Sequence, residues 1–299
     1  MDSQRIPRIA FLGTGLMGMP MAKRLLAAGY PISAWNRTRA KAEAVGASTT
    51  DTSAQAVAGA DVVITMLQDG TAVRSVIGDA LPALQRGAVV VDMSSTAHAE
   101  ALELHGLLDA REIGFMDAPV SGGVLGAEQG TLAIMVGGSP ENFARVEAVL
   151  NCLGRPTLVG PPGSGQIAKL CNQLIVGGTL ALVAEALLLA QAGGADPAAV
   201  RAAIRGGFAE SRILEVHGAR MLARNFMPGG QVKSQAKDME NVLAAAHDTG
   251  LQLPLAEIVA GQFCDLLPHF PAADQAAALL ALERINPGWR LGTTEDRLP

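Results

Sequence analysis

A glycine-patterned loop near the amino terminus constrains this chain more than any other feature. It reads Phe11-Leu12-Gly13-Thr14-Gly15-Leu16-Met17-Gly18, with an apolar run at 9–12 before it and a helix-like run at 17–28 after it. Strand, G-x-G-x-x-G loop and helix in that order mark the start of a βαβ unit rather than an isolated turn. Gly13 permits the tight turn out of the strand, Gly15 lets the backbone approach a pyrophosphate, and Gly18 lets the helix lie close on the strand. The helix amino terminus then offers free N–H groups to the anion. Thr14, Leu16 and Met17 complete the stretch of backbone expected to touch a dinucleotide.

The first half continues in the same rhythm. Short apolar strand candidates fall at 8–12, 32–35, 61–66, 89–92 and 115–118, with helix candidates at 17–28, 38–45 and 97–110. More strand-like sequence follows at 131–136 and 157–159, around a helix candidate at 140–150. Alternation of this kind predicts an α/β fold, a Rossmann-like doubly wound parallel sheet covered on both faces. The character changes at Pro161-Pro162-Gly163-Ser164-Gly165. A dinucleotide-binding domain over 1–163 is expected, followed by an all-helical substrate and dimerisation domain over 164–299. Helical candidates there are 166–193, 197–206, 213–222, 237–249, 255–267 and 272–285. The polar stretch 286–299 is expected either to fray or to lie across a neighbour.

Composition narrows the function classes. A length of 299 residues suits two domains, and 49% apolar residues supply large cores. The net charge of -5, without a long basic block, argues against nucleic acid as a partner. Three scattered cysteines, without C-x-x-C spacing, point to a reducing cytoplasm and to no metal centre. The first strand is expected to begin by Arg8, so no signal or transit peptide is expected. The run 174–192 is apolar enough to imitate a membrane span, but Glu185 sits near its middle, where a charge is costly in lipid. A helix buried between domains or subunits is the expectation, and no membrane partner is.

Three further segments carry chemistry. Asn36-Arg37-Thr38 ends the second strand, where dinucleotide folds usually place an acidic residue for the ribose 2′-hydroxyl. With no carboxylate to repel a 2′-phosphate, and Arg37 able to pair with one, NADP is expected, NAD being possible. Asp117-Ala118-Pro119-Val120-Ser121-Gly122-Gly123 offers a hydroxyl and unobstructed N–H groups for a carboxylate, although alone it reads equally as a turn. Gly160-Pro161-Pro162-Gly163-Ser164-Gly165-Gln166-Ile167-Ala168-Lys169-Leu170-Cys171-Asn172-Gln173 leads glycine-rich backbone into the long apolar helix. Lys169 and Asn172 share one helical face, and a lysine opening such a helix reads equally as a group for proton transfer and as an ordinary solvent-facing residue.

Taken in order, these motifs resemble the β-hydroxyacid dehydrogenase family over nearly the whole chain, with Lys237-Asp238 as a further marker. The resemblance implies Lys169 as the catalytic lysine and Asn172 as a substrate-side amide, with Gln173 next to it. It implies Ser121, Gly122 and Gly123 as the carboxylate-binding segment. The resemblance also implies a place beside nicotinamide and substrate for Ser95, within Ser94-Ser95-Thr96. Met66, Leu67 and Lys237 fall on the cofactor side. The implied activity interconverts a small 3-hydroxy acid and its semialdehyde, with reduction of 2-hydroxy-3-oxopropionate to glycerate foremost. Dehydrogenation of 3-hydroxyisobutyrate and reduction of glyoxylate or succinic semialdehyde are the alternatives. A small-molecule carboxylate substrate and a homodimer or homotetramer are implied partners.

Two departures stand out. Gly230 occupies a position where many relatives carry an aromatic residue near the nicotinamide, and Asn36 replaces an acidic residue common among reductases of this kind. Gly230 implies room for a bulkier substrate, or filling of the space by another side chain such as Phe226. Two rivals remain at this level. Imine reductases share the architecture but usually lack the lysine. A catalytically silent dinucleotide-binding assembly module would have no need of Lys169 and Asn172.

Overall fold

The computed structural model describes residues 5–299, and the chain divides into two compact units, one ending at Lys169 and the other beginning at Leu170. In the first unit the chain runs β1 (Ile9–Leu12), α1 (Gly18–Ala27), β2 (Ile32–Trp35), α2 (Arg39–Glu43), β3 (Ser48–Thr49), α3 (Ser53–Val57) and β4 (Val62–Thr65). It continues through α4 (Gly70–Ala80), β5 (Val89–Asp92), α5 (His98–Asp109), β6 (Gly114–Asp117), β7 (Val120–Ser121), α6 (Gly123–Gln129), β8 (Leu132–Gly138), α7 (Pro140–Asn151) and β9 (Gly154–Gly160). The strands form one sheet in the order β3-β2-β1-β4-β5-β6-β8-β7, with β9 on the other side of β8.

Every residue of β1, β4 and β5 is buried, which is why these strands read as unbroken apolar runs. One face packs Phe11, Ile64 and Val91 under α1 and α7, and the other packs Leu12, Val63 and Val90 under α4 and α5. From β3 to β6 the sheet is parallel, but β8 runs antiparallel to both β6 and β7. The expected parallel, doubly wound sheet is present, and the later strands extend it with antiparallel pairs. The short α6 turns the chain back beside β7 instead of carrying it over the sheet, and such a return gives an antiparallel pair.

The elements that the sequence reading passed over are β3, α3, α4, β7 and α6. Helix α4 (GTAVRSVIGDA) holds two glycines and four β-branched residues, so its intrinsic propensity is low. It forms because Asp69 caps it, accepting from Ala72 N at 2.9 Å, and because Val73, Ile77 and Ala80 are buried.

Helix α8 (Ser164–Ala192) crosses the division between the units. The second unit adds α9 (Pro197–Ile204), α10 (Arg212–Leu222), α11 (Val232–Asp248), α12 (Pro254–Leu266), a 3-10 turn at Gln275–Ala277 and α13 (Ala278–Ile285). Asp196 caps α9 ahead of Pro197, as that dipeptide predicts. Helix α11 starts at Val232, a turn and a half before the expected 237.

The carboxyl-terminal stretch does not fray. Arg224, 1% exposed, takes Glu283 in a bidentate pair at 2.6 and 2.9 Å, donates to Leu291 O at 3.2 Å and pairs with Asp296. Arg297 N donates to Arg224 O, and Phe226 N to Arg297 O, both at 2.9 Å. A buried guanidinium needs these partners, and residues 283–297 supply them from within the same unit.

Removing one side of a buried ion pair strands the other charge. Arg224→Met is expected to cost the helical unit about 3–5 kcal/mol of unfolding free energy. Urea denaturation followed by a probe in this unit measures it. An unchanged midpoint would mean that the tail is held by other contacts.

Candidate active site

The glycine loop is built as its spacing requires. Gly13 has φ +103°, and a Cβ there would lie 2.4 Å from Met66 O. A Cβ on Gly18 would lie 1.9 Å from Gly13 O, so the loop closes directly on the first residue of α1. Gly15 differs: a Cβ there meets no heavy atom of the protein within 4 Å. This face of the loop is therefore open, as close anion approach requires. Thr14 is fully buried, and its Oγ1 has no hydrogen-bond partner among the described residues.

The turn after β2 is tied to this loop. Asn36 Oδ1 accepts from Thr14 N at 3.1 Å, and Asn36 Nδ2 donates to Thr38 O at 3.0 Å. The amide therefore uses both of its ends, and a carboxylate at this position would have no hydrogen to give Thr38. Arg37 and Thr38 are exposed. Arg39, by contrast, is paired with Glu43 and Asp51.

A second polar assembly sits at the carboxyl ends of β4, β5 and β6. Asp92, 1% exposed, accepts from Thr65 Oγ1 at 2.7 Å and from Ser94 N at 3.0 Å. Ser94 Oγ in turn accepts from Leu67 N at 2.9 Å, which fixes the Met66-Leu67 turn. Asp117 accepts from Gly163 N at 2.7 Å and Gln166 N at 2.8 Å, capping the start of α8. Gln166 Nε2 donates to Ser94 O at 2.9 Å, and Thr96 N donates to Gln166 Oε1 at 3.1 Å. One turn along α8, half-buried Lys169 donates from Nζ to Val120 O at 3.0 Å. Val120 directly precedes Ser121, Gly122 and Gly123, so Lys169 and the segment expected to take a carboxylate are brought together within the first unit. Ser121 is half-buried, while Gly122 and Gly123 are exposed, with φ +135° and +64°. Ser95 is half-buried between Ser94 and Thr96.

The second unit contributes its own chain of contacts. Asn172 Nδ2 donates to Gln173 Oε1 at 2.8 Å, and Gln173 Nε2 donates to Asp238 Oδ2 at 2.6 Å and Gln235 Oε1 at 3.3 Å. Lys237 Nζ stands 3.4 Å from Asp238 Oδ1. Gln173 is thus occupied on three sides. Phe226 is the side chain named above for the space left by Gly230. It is fully buried, with the Arg224 guanidinium 5.5 Å from its ring centroid. Gly230 is exposed and faces Gln275: a Cβ there would lie 3.1 Å from Gln275 Nε2, while Gln275 N donates to Gly230 O at 2.7 Å.

Sequence reasoning passed over Gln166 and Asp92, and it took Asp117 only as the head of a turn. An acidic residue ending a buried apolar strand was the one signal available, and it occurs at both Asp92 and Asp117.

A family model described as the NAD binding domain of 6-phosphogluconate dehydrogenase matches residues 8–161. A second, described as NAD-binding of NADP-dependent 3-hydroxyisobutyrate dehydrogenase, matches residues 163–282. The 2-hydroxy-3-oxopropionate reductase of Escherichia coli (strain K12) is 40% identical over 253 residues, 83% of this chain and 87% of that protein. This chain belongs to the β-hydroxyacid dehydrogenase family. Among solved structures, a Mycobacterium tuberculosis 3-hydroxyisobutyrate dehydrogenase with L-serine matches at TM-score 0.86 and 30% identity, covering 93% of this chain and 99% of that one. Psf3 in complex with NADP+ and 2-OPP matches at TM-score 0.82 and 25% identity, covering 92% and 99%. As a member of this family the protein is an oxidoreductase with a nicotinamide dinucleotide cofactor.

The strand-end assembly has a measurable charge cost. Burial pushes the Asp92 carboxyl from its ordinary 3.8 up to about 6, against the downward pull of Ser94 and Thr65, and the charge of Asp117 adds to the rise. Burial raises Asp117 as well, although the N–H groups of Gln166 and Gly163 oppose it. A raised carboxyl means that the folded state holds its proton where the unfolded state has lost it. Stability from Asp92 is therefore full at acid pH and falls as pH rises through about 6, by about 3 kcal/mol in all. Asp92→Asn cannot ionise, so it is expected to gain stability relative to the wild type between about pH 4 and pH 7. Urea unfolding of both proteins across that range measures the difference, and parallel curves would contradict it.

Proposed function

We propose that this enzyme is an NADP(H)-preferring reductase that interconverts a small 3-hydroxy acid and its semialdehyde. Reduction of 2-hydroxy-3-oxopropionate to glycerate is the reaction best supported. The observation that carries the reading is the contact of Lys169 Nζ with Val120 O, which sets an ammonium group at the head of Ser121-Gly122-Gly123. A proton donor and a carboxylate cradle are then addressed to the same small molecule.

The residues present fit the cofactor. The open face of Gly15 and the buried Thr14 hydroxyl suit the pyrophosphate, with Gly13, Leu16, Met17 and Gly18 completing the loop. Exposed Arg37, with Asn36 and Thr38 uncharged beside it, suits a 2′-phosphate. Met66, Leu67, Ser95 and Lys237 are the further residues that would hold the cofactor. The NADP+ present in the Psf3 structure supports the same preference. When bound, the nicotinamide supplies or accepts the hydride at the substrate carbon.

The chain's own residues do the rest. Ser121 and the N–H groups of Gly122 and Gly123 hold the carboxylate. The Lys169 ammonium polarises the carbonyl oxygen and gives it a proton in reduction, taking it back in oxidation. Asn172 orients the oxygen from the same helical face, and Gln173, fixed by Asp238, orients Asn172. The L-serine in the Mycobacterium tuberculosis structure also places a hydroxyl one carbon from the carboxylate-bearing centre. It supports a substrate of that size.

The placement of whole domains follows the same reading, with residues 1–163 for the cofactor and 164–299 for substrate and assembly. Along α8, Ile175, Leu182 and Leu189 are 68%, 65% and 73% exposed at seven-residue spacing. Such a seam suits packing against a second copy, as a homodimer or homotetramer. Helix α8 is long and apolar enough to cross a membrane, yet Glu185 is exposed within it. A cytoplasmic enzyme without membrane or nucleic-acid partners is the assignment that fits.

Two variants test the assignment. Lys169→Ala is expected to lower kcat by about 10²–10⁴-fold while NADPH still binds. Near-normal turnover would remove Lys169 from the chemistry. Arg37→Ala is expected to weaken NADPH by about 1.5–3 kcal/mol and to leave NADH unaffected. A wild type that favours NADH in kcat/KM would overturn the cofactor preference.

A further inference from the structure

We propose that Gln166 is the positioning residue of this site, a single buried carboxamide that locks the peptide groups on both sides of Ser95 to the helical turn carrying Lys169. The inference rests on the functional reading above and extends it to a residue that touches neither substrate nor cofactor.

The geometry is specific. Gln166 is fully buried, and its Nε2 donates to Ser94 O at 2.9 Å while its Oε1 accepts from Thr96 N at 3.1 Å. These two backbone groups bracket Ser95, so the amide acts toward the loop as the edge of a neighbouring strand would. The Gln166 backbone is fixed in turn, because its N–H donates to Asp117 Oδ2 at 2.8 Å. Lys169 lies three residues on, and its Nζ reaches Val120 O, three residues beyond Asp117. The loop bearing Ser95, the strand end bearing Asp117 and the turn bearing Lys169 therefore meet at one side chain.

Few residues could do this. The site needs a donor and an acceptor on one planar group, at the reach of two methylenes. Methionine fills a similar volume and offers neither strong bond. Glutamate has the shape but gives up the donor when ionised, and its charge would then face Ser94 O. Protonated, it regains a hydroxyl donor beside a carbonyl acceptor. The native amide thus holds the loop at every pH, whereas a carboxyl group would hold it only under acid conditions.

The experiment compares wild type, Gln166→Met and Gln166→Glu. Hydrogen exchange on the cofactor-free proteins reads the lock directly. Gln166→Met is expected to lose protection at Thr96 N–H and to keep it at Gly163 N–H, which Asp117 holds. Turnover is then measured per NADPH-binding site, so that unfolded molecules do not count. Gln166→Met is expected to lose about 10²-fold in kcat with NADPH affinity unchanged, as a displacement of about 1 Å at reacting groups produces. Gln166→Glu is expected to approach wild-type kcat at acid pH and to lose it as pH rises, a profile absent from Gln166→Met.

Unchanged Thr96 protection in Gln166→Met overturns the lock. Full kcat per binding site in Gln166→Met, or identical pH profiles for the two variants, overturns the positioning role even if stability falls. Failure of the functional reading looks different: the wild type itself then shows no turnover, while the exchange pattern still decides whether Gln166 holds the loop.

Discussion

One buried carboxylate organises the chemistry of this protein. Asp117 ends β6, is fully buried, and accepts from Gly163 N and Gln166 N. Taking a carboxylate out of water is costly, and short bonds from backbone N–H groups at a helix start are among the few arrangements that offset it. The chain must therefore bring the beginning of α8 back to the end of the sheet. Packing there leaves no room for side chains. A Cβ on Gly165 would lie 2.3 Å from Asp117 O, and one on Gly137 would lie 2.6 Å from Gly165 N. The glycines of this stretch let helix and strand backbone touch, and Lys169 inherits its place from that contact.

The same logic recurs along the carboxyl edge of the sheet, where ligands bind in open α/β folds. Asn36 joins the turn after β2 to the glycine loop, Asp92 joins β4 and β5 to the Ser94 loop, and Asp117 joins β6 to α8. Each uses a polar side chain at a strand end to hold the backbone of a neighbouring loop. Loops held in this way need little rearrangement when a charged ligand arrives, which preserves binding energy for orientation. The raised carboxyls at Asp92 and Asp117 are the thermodynamic counterpart of that order.

Much of this was legible in the sequence, and for a physical reason. β1, β4 and β5 are buried throughout, so they appear as short apolar runs that admit little else. The glycine loop declares itself through spacing, because one tight loop is local geometry, whereas Lys169 and Asn172 stand out only through the resemblance that the ordered motifs carry together. What stayed hidden depends on distant partners. α4 relies on a cap and on its packing against the sheet more than on propensity. The antiparallel return through β7 turns on a two-residue strand. Gln166 looks like any polar residue at a helix start, and only bonds to residues 70 and 72 positions away reveal its use. The tail likewise looked loose, because its partner, Arg224, lies far back in the chain.

The central claim is that this framework delivers a hydride to the aldehyde carbon of a small carboxylate. Its most direct test is transfer of label from NADPH carrying deuterium at the reactive carbon of the nicotinamide, with 2-hydroxy-3-oxopropionate as acceptor and the product followed by NMR. The expected result is one deuterium at the primary alcohol carbon of glycerate for each NADPH consumed, from one of the two labelled faces. Binding of NADPH without label appearing in glycerate, or in the alcohol of any other small semialdehyde acid, would contradict it.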